Sequence, residues 1–212
     1  MRVGAILVVC ALSTPTLADP PSEDVSEYTF HEHQFGLSAR IGIGYRSLFT
    51  KQNSTYCGQS DPNQSSGNAN PCTGRSPLAL DLEASYAVKR SIEVLAAVRF
   101  GLEPDFGATA AATANSGPHR IDLSLGGRFF FSEAKHVKLF IQPMLLFDFT
   151  NYAASSFDFG GRILQGLWID LHKTYGFYFY LGETAELTKF FGGSRWLDAE
   201  FEGGFGLQGR YP

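Results

Sequence analysis

The sequence contains few charged residues and no long apolar run, and these absences limit the classes of protein to which the chain can belong. Asp, Glu, Lys and Arg make up 18% of the 212 residues, where about 25% is usual for a soluble domain. Aromatic residues reach 14%, a composition that excludes an intrinsically disordered chain. Because no uncharged apolar stretch of about 18 residues occurs, a helical membrane protein is excluded as well.

Basic residues are also in short supply. There are 17 Lys and Arg against 21 Asp and Glu, with a formal net charge of −4. Proteins that bind nucleic acid carry a basic surface that this balance does not provide, so no nucleic-acid partner is expected. The length of the chain corresponds to one domain.

The first 18 residues have the pattern of a secretory signal peptide. Arg2 supplies the positive charge, residues 3–12 form a mostly apolar run, and residues 16–18 offer a cleavage site. A buried N-terminal strand or helix is the less typical alternative. Residues 19–33 are acidic and contain proline without any periodicity, which predicts a flexible N-terminal tail.

Cysteine is rare, and only Cys57 and Cys72 follow the predicted signal peptide. In an exported protein such a pair in a loop-like stretch predicts a disulfide. This bond would stabilise the fold by about 3 kcal/mol in the chain-entropy model. A zinc site is the weaker alternative, since two lone cysteines lack the further ligands that zinc needs. We therefore predict no metal and no other cofactor.

From residue 35 onward the chain alternates between apolar residues and polar or small ones. Phe35, Leu37 and Ile41 share one face of the first segment, and Ser38 and Arg40 share the other. Successive side chains of a strand point to opposite faces, so this period predicts a strand with one apolar side. The pattern predicts eight strands, at residues 35–46, 78–89, 92–103, 120–131, 137–149, 162–171, 175–183 and 197–211.

Short and long connections alternate between these strands. In an up-and-down arrangement all short turns then lie at one end, which is typical of bacterial outer-membrane barrels.

Two features of the sequence do not fit this strand pattern easily. Pro143 lies inside a strand and cannot donate to a ladder, so we expect a bulge there. The sixth strand is ambiguous, because one register turns Gln165 toward lipid and the other turns Arg162 there.

Alternation alone does not show which face is inside. A soluble, lipocalin-like binding barrel would bury the apolar face, and a membrane barrel would expose it. The apolar faces are about ten residues long, as a tilted membrane-spanning strand requires, and the polar faces are rich in Gly and Ser. We therefore predict an all-β fold for residues 34–212, an eight-stranded antiparallel up-and-down transmembrane β-barrel.

With these features the sequence resembles the small eight-stranded outer-membrane barrels, the family of OmpA-like transmembrane domains and OmpX-like proteins. The resemblance covers residues 35–212 and lies in the signal peptide, the amphipathic strands, the unequal loops and the closing strand. It implies localisation in the bacterial outer membrane, contact with outer-membrane lipid, and recognition by the barrel-assembly machinery during biogenesis. The implied assembly signal is Phe205, Leu207 and Tyr211, although Pro212 stands where the family usually has an aromatic residue.

Eight strands enclose an interior just wide enough for side chains. An unpaired buried charge costs several kcal/mol, so we predict that the lumenal charges pair and plug the barrel. The predicted network is Arg40, Arg46, Asp81, Glu83, Glu93, Arg99, Asp122, Arg128, Asp148, Asp198, Glu200, Glu202 and Arg210. The three acidic residues of the last strand could instead form a cation site or an acid–base pair.

No convincing catalytic set emerges, and we predict that the protein is not an enzyme. A lipid-modifying barrel enzyme remains an alternative, with His119, Ser116 and Asp122 as its conceivable site. His31 and His33 could bind a metal loosely, but a solvated tail is the more typical explanation. Tyr178 and Tyr180 are predicted to fill the lumen, beside an outward aromatic girdle.

The long first connection, residues 50–77, is polar and would be held on a rigid barrel, an arrangement that commonly carries recognition. We therefore expect a structural or surface-interaction role, in envelope integrity, adhesion or shielding, with an extracellular partner at this loop.

Overall fold

The computed structural model describes residues 31–50, 70–104, 119–131, 136–150, 158–188 and 196–211. None of these residues forms a helix long and apolar enough to cross a membrane. The strands are β1 (Phe35–Thr50), β2 (Asn70–Arg75), β3 (Ala79–Lys89), β4 (Ile92–Gly101), β5 (Ile121–Phe131), β6 (Val137–Asp148), β7 (Asp158–His172), β8 (Tyr175–Thr188) and β9 (Trp196–Tyr211).

The strands form one closed antiparallel barrel. β1 pairs with β3, each strand from β3 to β9 pairs with the next, and β9 pairs back onto β1 from Phe35↔Tyr211 to Phe49↔Leu197. β2 pairs with the end of β1 beyond the point where β3 stops, so β2 and β3 share one position in the wall. The predicted eight-stranded up-and-down barrel is therefore confirmed. Closure gives the wall no free edge.

The two ends of the barrel differ. The connections between β3 and β4, between β5 and β6 and between β7 and β8 are short. The strand ends that they join lie at the same end of the barrel as the start of β1 and the finish of β9. We call this the turn end. The longer connections lie at the opposite end, which we call the loop end.

Most large apolar side chains of the wall point outward, and most charged side chains point inward. Leu37, Leu82 and Phe205 are exposed on the outer wall, whereas Arg40 and Asp81 are buried within the barrel. A soluble barrel has the opposite arrangement, so the lipocalin-like alternative is wrong. Side chains alternate this way because the strand period is two residues.

The expected bulge at Pro143 is wrong. The register of β5 against β6 is the same on both sides of the proline, from Gly126↔Met144 to Phe129↔Ile141. The ladder is interrupted between these pairs, because Pro143 has no N–H to donate. A Cβ at Gly126 would clash with the Pro143 carbonyl oxygen, so glycine lets the two strands stay in register.

The ambiguous strand, β7, turns Arg162 into the barrel and Gln165 outward. The structure also begins this strand earlier than the sequence predicts, at Asp158, and it carries β8 on to Thr188. These extensions add Asp158 and Glu186 to the interior.

An aromatic block fills the lumen toward the turn end. The rings of Trp168 and Tyr178 stack with their centroids 4.9 Å apart, and Tyr180 is buried beside them. Gly206 and Gly204 lie directly opposite Tyr178 and Tyr180 on β9. A Cβ at either glycine would clash with the facing ring, so these positions require glycine.

Candidate functional site

The candidate site is the lumen, where the structure brings together charged residues from all eight wall positions. All thirteen residues of the predicted charge network lie in the interior, each at most 6% exposed. They fall into a central, a turn-end and a loop-end cluster.

The central cluster joins Arg40, Arg99 and Asp81 on β1, β4 and β3. Register places Asp81 directly opposite both arginines. Arg99 donates to both oxygens of Asp81 at 2.8 and 2.9 Å, and Arg40 Nε donates to the same carboxylate at 2.9 Å. Arg99 also donates to Glu202 on β9 at 2.8 Å, so the cluster crosses the lumen.

Arg128 connects this cluster to the aromatic block. Its guanidinium donates to Glu93 and to Gln142, both at 2.8 Å, and it also pairs with Glu83. The same group lies over the Trp168 ring, 5.0 Å from the ring centroid. Arg128 thus links the central charged cluster to the aromatic block.

The turn-end cluster contains a residue from the N-terminal segment. His31 precedes β1 and is buried in the mouth of the barrel, so the prediction of a solvated tail is wrong at this position. Arg210 donates to His31 Nε2 at 2.6 Å, and Lys138 Nζ lies 3.2 Å from the same atom. Both cations also pair with Asp170, at 3.1 and 2.7 Å. His31 therefore closes the mouth as a neutral acceptor.

The neutral form of His31 follows from its surroundings. The pKa of His31 is lowered from 6.5 to about 4, mainly by burial and also by the positive charges of Arg210 and Lys138. The nearby carboxylate of Asp170, 3.4 Å from His31 Nε2, opposes this lowering of the pKa. A proton on His31 would place a third cation between two others.

The loop-end cluster is centred on Arg120. Its guanidinium contacts Asp122 at 2.9 Å, Glu186 at 2.7 Å and Glu200 at 3.0 Å, which joins β5, β8 and β9. Arg46 on β1 donates to Asp198 at 2.6 Å. Arginine suits this task because its planar fork offers five donors.

Carboxylates also face one another at the loop end. Asp148 lies directly opposite Asp122 on one side and Asp158 on the other, and Glu186 lies opposite Asp198. Like charges placed opposite on neighbouring strands destabilise a sheet. Among the described residues, the loop end therefore contains carboxylates whose mutual repulsion the neighbouring arginines must offset.

Several lumenal residues lie outside the predicted charge network. Arg120 and Lys138 were visible on the polar faces of their strands, and Arg162 and Asp170 belonged to the strand of ambiguous register. His31 had no periodic signal, because its burial depends on a fit with three distant strands.

Among the residues that the structure describes, the other candidates do not assemble into a second site. His119 Nδ1 lies 2.8 Å from the Gly101 carbonyl, while Asp122 is held by Arg120, and Ser116 lies outside the described residues. Cys57 also lies outside them, although Cys72 falls in β2. Among the described residues no group of three or more His, Cys, Asp or Glu could hold a metal ion. The assembly-signal residues Phe205, Leu207 and Tyr211 are exposed on the outer face of β9.

Comparison with known proteins extends to structure only. No protein-family model and no curated protein matches the chain. Among solved structures, the outer membrane protein OprG from Pseudomonas aeruginosa is 8% identical, with a TM-score of 0.50 over 87% of this chain and 98% of that chain. The outer membrane protein AlkL, solved in DMPC lipid bilayers, is 9% identical, with a TM-score of 0.51 over 92% and 96%.

At these identities the likeness shows the fold, which is that of the small outer-membrane barrels. The outer wall is consistent with this fold, because every strand position of the wall carries exposed apolar side chains. A closed barrel with an apolar outer face and short turns at one end resides in the bacterial outer membrane. In barrels of this kind the short turns face the periplasm.

Proposed function

We propose that this outer-membrane barrel has a structural or surface-interaction role, in envelope integrity, adhesion or shielding, and that its lumen is closed to ions. The observation that supports this proposal is the filling of the lumen. Paired charges occupy the loop end and the centre, and the aromatic block and His31 occupy the turn end. Because these lumenal side chains are each held by several partners, they leave no water-filled path through the barrel.

The barrel would then serve as a rigid anchor for the surface loops. Loops on a rigid scaffold commonly carry recognition. The predicted loop of residues 50–77 contains β2, and the whole connection from β1 to β3 is the longest of the barrel. We propose that it meets an extracellular partner, that the outer wall meets lipid, and that the assembly machinery reads β9 during biogenesis.

Planar lipid bilayer recording tests the closed lumen. The purified full chain is inserted into a bilayer, and current is followed over several voltages. We expect no stable conductance, because each inward arginine is held by buried carboxylates. A large, stable open state would refute the closed lumen.

The role itself is tested in cells that lack the protein. The full chain and a variant whose residues 51–69 are replaced by a short Gly-Ser linker are expressed, and folding of both is checked by heat-modifiable gel mobility. A structural role predicts that both restore the barrier to a bulky dye. A surface role predicts that only the full chain restores attachment. No effect of either chain on barrier or attachment would contradict the proposal.

A further inference from the structure

A groove crosses the outer wall of the barrel near its loop end. Its floor is a row of four small residues that are paired directly across neighbouring strands: Ser47, Ala199, Ala185 and Gly161. Because the strand period is two, all four face outward. The groove has a volume of about 780 Å³.

Larger side chains form the walls of this groove. On the turn side the next outward row is Tyr45, Phe201, Glu183 and Ile163. Phe49 stands at the β1 end of the groove and Pro143 at the β6 end. The three aromatic residues and Ile163 are 42–55% exposed, so they project far enough to enclose a ligand.

Glu183 is the unusual member of this wall. It is the one acidic residue in the described strands that faces outward, and every other acid of these strands points into the lumen. It lies about 20 Å along the barrel axis from Tyr175, since a tilted strand advances about 2.5 Å per residue. The apolar band of such a barrel is about 25 Å tall. Glu183 therefore lies just inside the outer edge of the hydrocarbon layer.

The groove has the length of a lipid chain. Four strands at a spacing of about 4.8 Å make the floor about 15 Å long, which is half of an about 30 Å hydrocarbon core. Ser47 and Gly161 lie at nearly the same distance from the turn end, twelve and eleven residues along their strands. Because the row crosses tilted strands at right angles, the floor is inclined to the membrane plane within the outer leaflet.

We propose that this groove binds an amphiphile that combines one alkyl chain with a protonated amine. The chain lies on the four small residues, and the ammonium group pairs with Glu183. The charge of Glu183 favours this class of amphiphile, because a carboxylate at the membrane edge attracts an ammonium and repels a phosphate or fatty-acid headgroup. The proposal depends on the orientation of the barrel in the membrane and not on the closed lumen, so either can fail alone.

Electron paramagnetic resonance of spin-labelled lipids tests the proposal. The full chain is reconstituted in phosphatidylcholine vesicles, and the motionally restricted fraction is measured for spin-labelled stearylamine and for stearic acid of the same chain length. We expect a preference of about threefold to fivefold for the amine, the range of a partly exposed ion pair.

Three variants separate the contributions of charge and shape. Glu183→Gln should reduce the amine preference to near one, and Glu183→Lys should reverse it in favour of the acid. Ala185→Leu fills the floor and should lower the restricted fraction of both probes. The matched control Ala84→Leu, on the outward face of β3, should change neither value. Heat-modifiable mobility verifies that each variant is folded.

Three results would overturn the proposal. The first is equal restriction of amine and acid by the wild-type protein, and the second is a preference that survives both Glu183 substitutions. The third is efficient disulfide crosslinking between copies of an Ala185→Cys variant in dilute vesicles. That result would assign the groove to a second copy of the chain.

Discussion

Arg128 offers the sharpest test of how the lumen stabilises the barrel. Its guanidinium binds Glu93 and Gln142 at 2.8 Å, contacts Glu83, and covers the Trp168 ring. Arg128→Met keeps much of the side-chain volume but leaves two buried carboxylates without this partner. Removing one member of a buried ion pair costs about 3–5 kcal/mol. We expect a loss in that range.

The assay is urea unfolding of the protein in lipid vesicles, followed by tryptophan fluorescence and by heat-modifiable mobility. Arg75→Met is the control, because Arg75 is 58% exposed and pairs with the partly exposed Glu103. An exposed pair contributes at most about 1 kcal/mol. A loss below about 1 kcal/mol for Arg128→Met would refute the idea that paired lumenal charges hold the barrel together.

Three further predictions concern other parts of the lumen. Acidification from pH 6.5 to 4 should destabilise the barrel by about 3 kcal/mol, because the unfolded chain binds a proton in this window that folded His31, with its lowered pKa, does not; His31→Gln should show a flatter pH profile in the same unfolding assay. Gly206→Val should cost about 1–3 kcal/mol by overpacking against Tyr178, or slow refolding into vesicles, and a wild-type unfolding midpoint would contradict this. Asp148→Asn should be neutral or stabilise by up to about 1 kcal/mol, since it removes the charge that faces two other carboxylates; a clear loss of stability would contradict the unfavourable charge pairing.

The two-residue alternation of apolar and polar residues was enough to predict which side chains of the wall face outward and which face the lumen. It assigned Arg40, Asp81 and Arg128 to the same side as glycine and serine, because side chains in a strand can point only to one face or the other. The order of short and long connections then predicted which strands pair. The register of β7 was not predictable, since both choices placed one polar residue on the apolar face.

The contacts within the lumen depend on three-dimensional fit. Strands β7 and β8 continue past the predicted ends, so Asp158 and Glu186 were assigned to loops. His31 was assigned to a solvated tail, because neighbouring residues carry no signal that Arg210, Lys138 and Asp170 would surround it. Such contacts join residues far apart in sequence, and strand periodicity does not report them.

The orientation of the barrel wall is tested most directly by the accessibility of single spin labels in vesicles. Labels at Leu82 and Leu125, which lie on the outer wall, should relax with lipid-soluble oxygen. Labels at Ser85 and Ser124, which lie inside, should respond weakly to oxygen. The opposite ranking at both pairs of positions would contradict a barrel with an apolar outer wall and an ionic interior.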